Sequence, residues 1–219
     1  MAYSCWRAGA AAAMLMLVTQ TAGAGHDIST AETLLFQTDH LKNVHAPATL
    51  RYAFHKAGSA EPGFDDQVQL VLQLVLFAAP PAATLQFLTG PRQYTAPPVN
   101  NAEGNPVLLG FLEHDIAEMQ RLTGGRSAYF RKRIRLALAE SAQVRPHRFT
   151  YAGKEVDGRE IVIEPYANDP MRARFEPYIG KRYTFIVSPQ VPGGVYQVRA
   201  AAGAPALVDD TLTLVGADQ

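Results

Sequence analysis

Apolar residues recur along the chain at two periods, and the change from one to the other outlines the fold. Over residues 105–141, Leu108, Leu112, Ile116, Met119 and Leu122 follow one another at steps of three and four. That is the spacing of one buried helix face, and Phe111 widens it. A second stripe, Phe130, Ile134 and Leu138, has Ala137 beside it. Between the stripes stand Gly124 and Gly125. A glycine just past a helix readily takes the left-handed conformation that ends it. The pattern predicts a two-helix hairpin, with Asn105 capping the first helix, Pro106 in its first turn and Ser127 capping the second.

On both sides of the hairpin the period falls to two, the mark of half-buried strands. Leu50, Tyr52 and Phe54 alternate with Arg51, Ala53 and His55. Val68, Leu70, Leu72, Leu74 and Leu76 oppose Gln67, Gln69 and Gln73. Residues 58–66 read as a loop, and Pro80-Pro81 as a break before a third strand at Thr84–Thr89. After Ser141, strands are predicted around Phe149–Tyr151, at Glu160–Ile163, Arg182–Ser188 and Gly194–Ala200, and finally at Thr211–Val215 on a sheet edge. Asp157-Gly158 has the composition of a hairpin turn, and Asn168-Asp169-Pro170 starts a short helical turn. Ser29-Thr30-Ala31-Glu32 fits a capping box, which opens a short helix within Ile28–Val44 that turns Leu34, Leu41 and Phe36 to the core.

Short Gly/Pro-rich connections imply antiparallel order, and such a sheet buries one face under a cover. The central hairpin is that cover. The expected fold is α+β: a mostly antiparallel, strongly curved sheet, or half-barrel, whose concave side is packed by the helices.

The first residues change the picture of where this fold works. Arg7, the apolar run Ala8–Val18 and Ala22-Gly23-Ala24 have the form of a secretory signal with its cleavage site. The run is shorter than the roughly 20 residues of a membrane span. Cleavage after Ala24 leaves one domain over 25–219, periplasmic or secreted and not membrane-anchored. Cys5, the one cysteine, and Trp6, the one tryptophan, leave with the signal. The fold therefore rests on its core rather than on disulfides, and thiol catalysis and thiolate metal sites are excluded. With 20 basic and 20 acidic residues, the chain is a poor candidate for nucleic acid.

The segments GNPVLLGFLEHDIAEMQRLTGG, YFRKRIRLAL, PYANDP, RFEPY and VPGGVYQVR resemble a family of uncharacterised exported proteobacterial proteins, a likeness that implies no activity. The inferred architecture is in turn similar, at the level of fold, to the periplasmic lipoprotein carriers of the Lol pathway. Those are half-barrels that shelter acyl chains beneath helices, and no functional residue carries over.

Candidate chemistry is sparse. There is no nucleophile elbow, zincin, P-loop or dinucleotide motif, so no catalytic residue, metal or cofactor is assigned. Glu113-His114-Asp115 looks like an acid/base cluster, but successive helical residues point about 100° apart. His114 and Glu118 share a face and are expected as an exposed pair. Asp65-Asp66 is expected to be solvated, and the scattered His40, His45 and His55 to be structural or at the surface. His26 is the exception, because cleavage after Gly25 would make it a terminal histidine of the kind that holds copper.

The reading that follows is a non-enzymatic periplasmic binding or carrier protein. Its lipid or other apolar ligand would lie between sheet and hairpin, against Leu112, Ile116, Met119, Phe130 and Ile134. The alternatives are an exported enzyme, hydrolytic or copper-dependent through His26, and an envelope-complex module. In the last, Arg131, Lys132 and Arg135 on the basic second helix would meet an envelope protein or anionic lipid.

Overall fold

The computed structural model describes residues 27–75, 78–100, 102 and 104–218. The predicted export signal, its cleavage site and His26 fall outside them, as does Leu76.

Nine strands form one antiparallel sheet: β1 (Ala48–Ala57), β2 (Phe64–Val75), β3 (Ala78–Phe87), β4 (Tyr94–Thr95), β5 (Gln143–Tyr151), β6 (Lys154–Ile163), β7 (Arg182–Val187), β8 (Val195–Ala202) and β9 (Val208–Asp218). Their spatial order is β4-β3-β2-β1-β9-β8-β7-β6-β5, and the sheet does not close, because β4 and β5 remain its edges. The chain begins with α1 (Thr30–Glu32), which runs into a π-helical turn at Thr33–Gln37. The hairpin, α2 (Val107–Thr123) and α3 (Ser127–Glu140), stands in sequence between the two halves of the sheet.

Alternation decides which face the helices cover. Leu50, Tyr52 and Phe54 of β1, Leu70 and Leu72 of β2, and Phe185 of β7 are all buried in one continuous core with the α2 and α3 stripes. Each such side chain contributes roughly 1.5–3 kcal/mol relative to exposure. The curvature can be read from α2 alone. His114 packs on Phe87 of β3 at 5.1 Å between ring centroids. The next residue, Asp115, accepts a hydrogen bond of 2.6 Å from Tyr183 of β7. On a flat sheet β3 and β7 would lie about 24 Å apart, so the sheet must curl around the helix to reach it from both sides.

Local details follow the expected chemistry at several points. Ser29 and Glu32 form the reciprocal capping box, Gly124 ends α2 at φ 67°, and Asn105 Oδ1 accepts from Val107 N at 3.1 Å. Gly110 has a role that periodicity does not reveal: a Cβ there would stand 2.3 Å from Leu85 Cδ2, so its absence lets α2 approach β3.

Other expectations are corrected. Asp157-Gly158 is not a turn. The pair lies inside β6, opposite Arg148 and His147, and the turn is Ala152-Gly153, both with positive φ. Glycine is needed at 158 because a Cβ would meet the Val187 carbonyl oxygen at 2.6 Å. Pro80-Pro81 does not break the sheet, since β3 runs through it. On its outer side β4 has only two residues and pairs with Gln86 and Phe87, and on its inner side the pairing with β2 is irregular between Gln73 and Val75, so missing N–H groups are tolerated here. Asp65 and Asp66 belong to β2, paired with His55 and Phe54. Leu74 is 71 % exposed rather than buried, near the end of β2. Ser127 is the first residue of α3, not its cap, and its hydroxyl bonds the Gln120 side chain. The π turn moves Leu35 into the core and leaves Phe36 exposed. The last strand, β9, is central, between β1 and β8.

Candidate functional site

A wide groove opens beside the hairpin rather than under it. The π turn and the residues after it, Leu34 to Asn43, face the β5–β6 hairpin and the loop from Val187 to Gly194 across a groove of about 840 Å³. Leu34, Pro146, Val187 and Pro189 supply apolar walls, while Asp39, Lys42, Arg148, Asp157, Arg159 and Gln190 supply polar groups. A second cavity of about 490 Å³ shares Leu34 and Arg159 with the first and continues to Leu138 on the apolar stripe of α3.

One end of the groove is held by a satisfied polar clamp. Asn105 donates to Tyr52 Oη at 2.9 Å and to the Gly193 carbonyl at 2.8 Å. His40 Nδ1 accepts from Asn105 N at 3.3 Å, which leaves Nε2 to donate to the Leu34 carbonyl at 2.9 Å. Burial pushes the His40 pKa down, consistent with this neutral ring. Asn43 donates to the Pro189 and Val191 carbonyls and accepts from Gly193 N. Gly194 lies at φ 70°, and a Cβ would come within 2.8 Å of the His40 ring. The groove is thus lined by a fixed scaffold rather than by free loops.

The hairpin residues singled out as ligand contacts lie together in the core. Leu112, Ile116, Met119, Phe130 and Ile134 are all buried. Phe130 also borders a third cavity of about 360 Å³, between the hairpin turn and the segment Met171–Phe175. Of the basic residues, Arg131 is exposed and grips Glu113, with Nε at 2.8 Å and Nη2 at 2.5 Å. Lys132 and Arg135 are exposed.

Glu113-His114-Asp115 separates into three environments. Glu113 is at the surface, and Asp115 is buried against Lys181 Nζ at 2.5 Å and Tyr183 Oη at 2.6 Å. His114 packs edge-on against Phe54 and at a tilt against Phe87, with Nε2 3.7 Å from Glu118. The expected exposed pair of His114 and Glu118 is therefore corrected: Glu118 is buried, in contact with the buried Lys56. Lys56 also lies 3.3 Å from Glu61 and 3.5 Å from Asp210. Burial, and then the charge of Glu118, push the Asp210 carboxyl up to about 8. Burial also opposes the charges on Lys56 and Glu118, but their hydrogen bond and mutual attraction hold Lys56 above and Glu118 below its ordinary range. His114, Glu118 and Asp210 offer ligand atoms within 4.8 Å of one another. The Lys56 ammonium already sits within reach of both carboxyl groups and is the counter-ion of Glu118. The burial of Asp115 beside Lys181 and Tyr183 had a signal in the sequence, because Asp115 lies between Leu112 and Met119 on the buried face of the helix; the Lys56 network had none.

The remaining chemical candidates do not converge. Among the described residues, His40, His45 and His55 join no group of metal-ligating side chains. His55 Nδ1 meets the exposed Asp65 at 2.6 Å. Asp66 faces the other way, accepting from Thr89 Oγ1 at 2.7 Å and Gln67 N at 2.8 Å. Although burial works against it, those bonds lower its pKa.

No known protein family matches the chain, and no curated protein does. Among solved structures, a LolA superfamily protein from Nitrosomonas europaea is similar at 10 % identity, over 87 % of this chain and 93 % of that one, with a TM-score of 0.25.

Proposed function

We propose that the protein is a non-enzymatic binding or carrier protein for a lipid or other apolar ligand, acting in the periplasm or outside the cell. The observation that carries this reading is the groove between the N-terminal segment and the β5–β6 hairpin. Its volume of about 840 Å³ lies within the 300–1,000 Å³ typical of small-molecule sites. Apolar walls with a few polar groups at the rim suit a ligand with one wet end. The passage past Leu34 to Leu138 leads toward Ile134 and Phe130, four and eight residues earlier on the same helical face. An acyl chain would lie along Leu34 and Leu138, and Leu112, Ile116 and Met119 of α2 form the packed layer that would stop it. The secretory pattern of residues 7–24 supports export. Among the described residues, no helix is long and apolar enough to cross a membrane.

The test is titration of the purified, delipidated chain with a fluorescent fatty acid, with native mass spectrometry of the protein as isolated. Saturable uptake is expected, together with a co-purifying apolar mass. Leu34→Trp, which fills the wall shared by the two cavities, should weaken uptake at least about ten-fold, the equivalent of 1.4 kcal/mol, without lowering the melting temperature. A folded chain that takes up no probe and carries no adduct overturns the reading.

A further inference from the structure

We propose that the outer face of α3 and the adjoining segment 171–174 form a docking surface for an anionic lipid bilayer. The argument starts from charge. The chain as a whole is balanced, with 20 basic and 20 acidic residues, yet this one region is strongly basic. It holds Arg126, Arg131, Lys132, Arg133 and Arg135 from one stretch and Arg172 and Arg174 from the other.

The structure shows which of these cations are already neutralised. Arg131 is held by Glu113, and Arg133 Nε lies 2.8 Å from Asp169. The same Asp169 accepts from Tyr129 Oη at 2.5 Å, which fastens the second segment against α3. Arg126, Lys132, Arg135, Arg172 and Arg174 are left: all are exposed, and among the described residues none has a carboxylate partner within 4.0 Å. Arg126 and Arg174 line the same cavity, and Lys132 and Arg135, three apart, share the outward face of the helix.

A flat anionic surface fits this arrangement better than a discrete ligand does. The cations spread across two segments without converging on one point, and the carboxylates that touch these segments, Glu113 and Asp169, are already engaged by Arg131 and Arg133, which leaves Glu140 and Glu176 as exposed acids at the margins. Lipid phosphates offer a field of negative charge that such a set meets without further ordering, and the attraction falls off within a Debye length. The charge of the second helix in the sequence points to Arg131, Lys132 and Arg135. The fold exchanges Arg131 for Arg126, Arg172 and Arg174. This surface does not depend on the groove being a lipid site.

The test is co-sedimentation of the purified chain with vesicles of phosphatidylcholine alone and with vesicles containing phosphatidylglycerol, at low and at physiological salt. Binding is expected only to the anionic vesicles and should weaken as salt rises. K132E/R135E/R172E should reduce it by more than about a hundred-fold, on a scale of roughly five-fold per neutralised side chain. Fatty-acid uptake and melting temperature should be unchanged, so that loss of docking is distinguished from loss of the groove or of the fold. R131A should bind nearly as the parent does. Equal binding to both vesicle types, no binding to anionic vesicles at low salt, or recovery of only an acidic protein through these residues overturns the proposal.

Discussion

Replacing Lys181 by Met tests whether α2 is held to the sheet by charge as well as by packing. Lys181 is 0 % exposed and Asp115 is 1 % exposed, 2.5 Å apart. Removing the ammonium leaves a buried carboxylate whose other partner is the Tyr183 hydroxyl at 2.6 Å. Breaking a buried pair from one side costs about 3–5 kcal/mol, because the surviving charge has no compensation. At 2–4 °C per kcal/mol for a domain of this size, the melting temperature should fall by roughly 6–20 °C. Asp115→Leu with Lys181→Met removes both charges. Tyr183 then keeps Tyr166 Oη at 3.4 Å, and the net loss should be only about 1–3 kcal/mol, the cost of one poorly satisfied hydroxyl. Guanidinium denaturation followed by far-UV circular dichroism measures all the variants. If Lys181→Met costs less than about 1 kcal/mol, or if the double variant equals the sum of the singles, the charge-pair account is wrong.

Three further outcomes are expected. Asp210 has a folded pKa of about 8 against an ordinary 3.8, so the folded state binds the extra proton and stability should fall as pH rises from about 4 through 8. Asp210→Asn should flatten that slope and stabilise the protein at pH 8, as read from melting curves across pH. Gly110→Ala gains about 1 kcal/mol of helix propensity but drives a Cβ to 2.3 Å from Leu85. Overpacking of about 1–3 kcal/mol should win, seen as a lower denaturation midpoint. Asn105→Ala strips partners from Tyr52, Gly193 and the start of α2 at once. It should cost at least about 2 kcal/mol and raise hydrogen exchange first at Val107 and Leu108.

The two-helix hairpin and the strands around Leu50–Phe54 and Val68–Leu72 were legible because each obeys a strict period and packs one face. What escaped depends on partners distant in sequence. Nothing local marks Thr211–Val215 as central, since its place is set by pairing with β1, about 150 residues earlier. Asp157-Gly158 has good turn composition, but its glycine answers to the Val187 carbonyl from another strand. Periodicity points to open space beneath Leu112, Ile116 and Met119. Those side chains fill their own layer, and the opening arises where the N-terminal segment stops short of β5 and β6. Asp115 is a further case. In the sequence it reads as off the stripe with Glu113 and Glu118, whereas the fold buries it, and its partner Lys181 gives no sign until the two are brought together.

The position of β9 bears on how the molecule is made. It follows every other strand in the chain, yet it is the seam between β1 and β8. Until it is available, the β4–β1 sheet and the β5–β8 sheet each present a bare inner edge, and bare edges invite pairing with other chains. Contacts that span most of the sequence form slowly. A chain emerging amino terminus first therefore has no means of locking prematurely. It stays threadable until its final strand arrives, and a molecule interrupted before that strand would be two sticky half-sheets rather than a smaller version of the same fold.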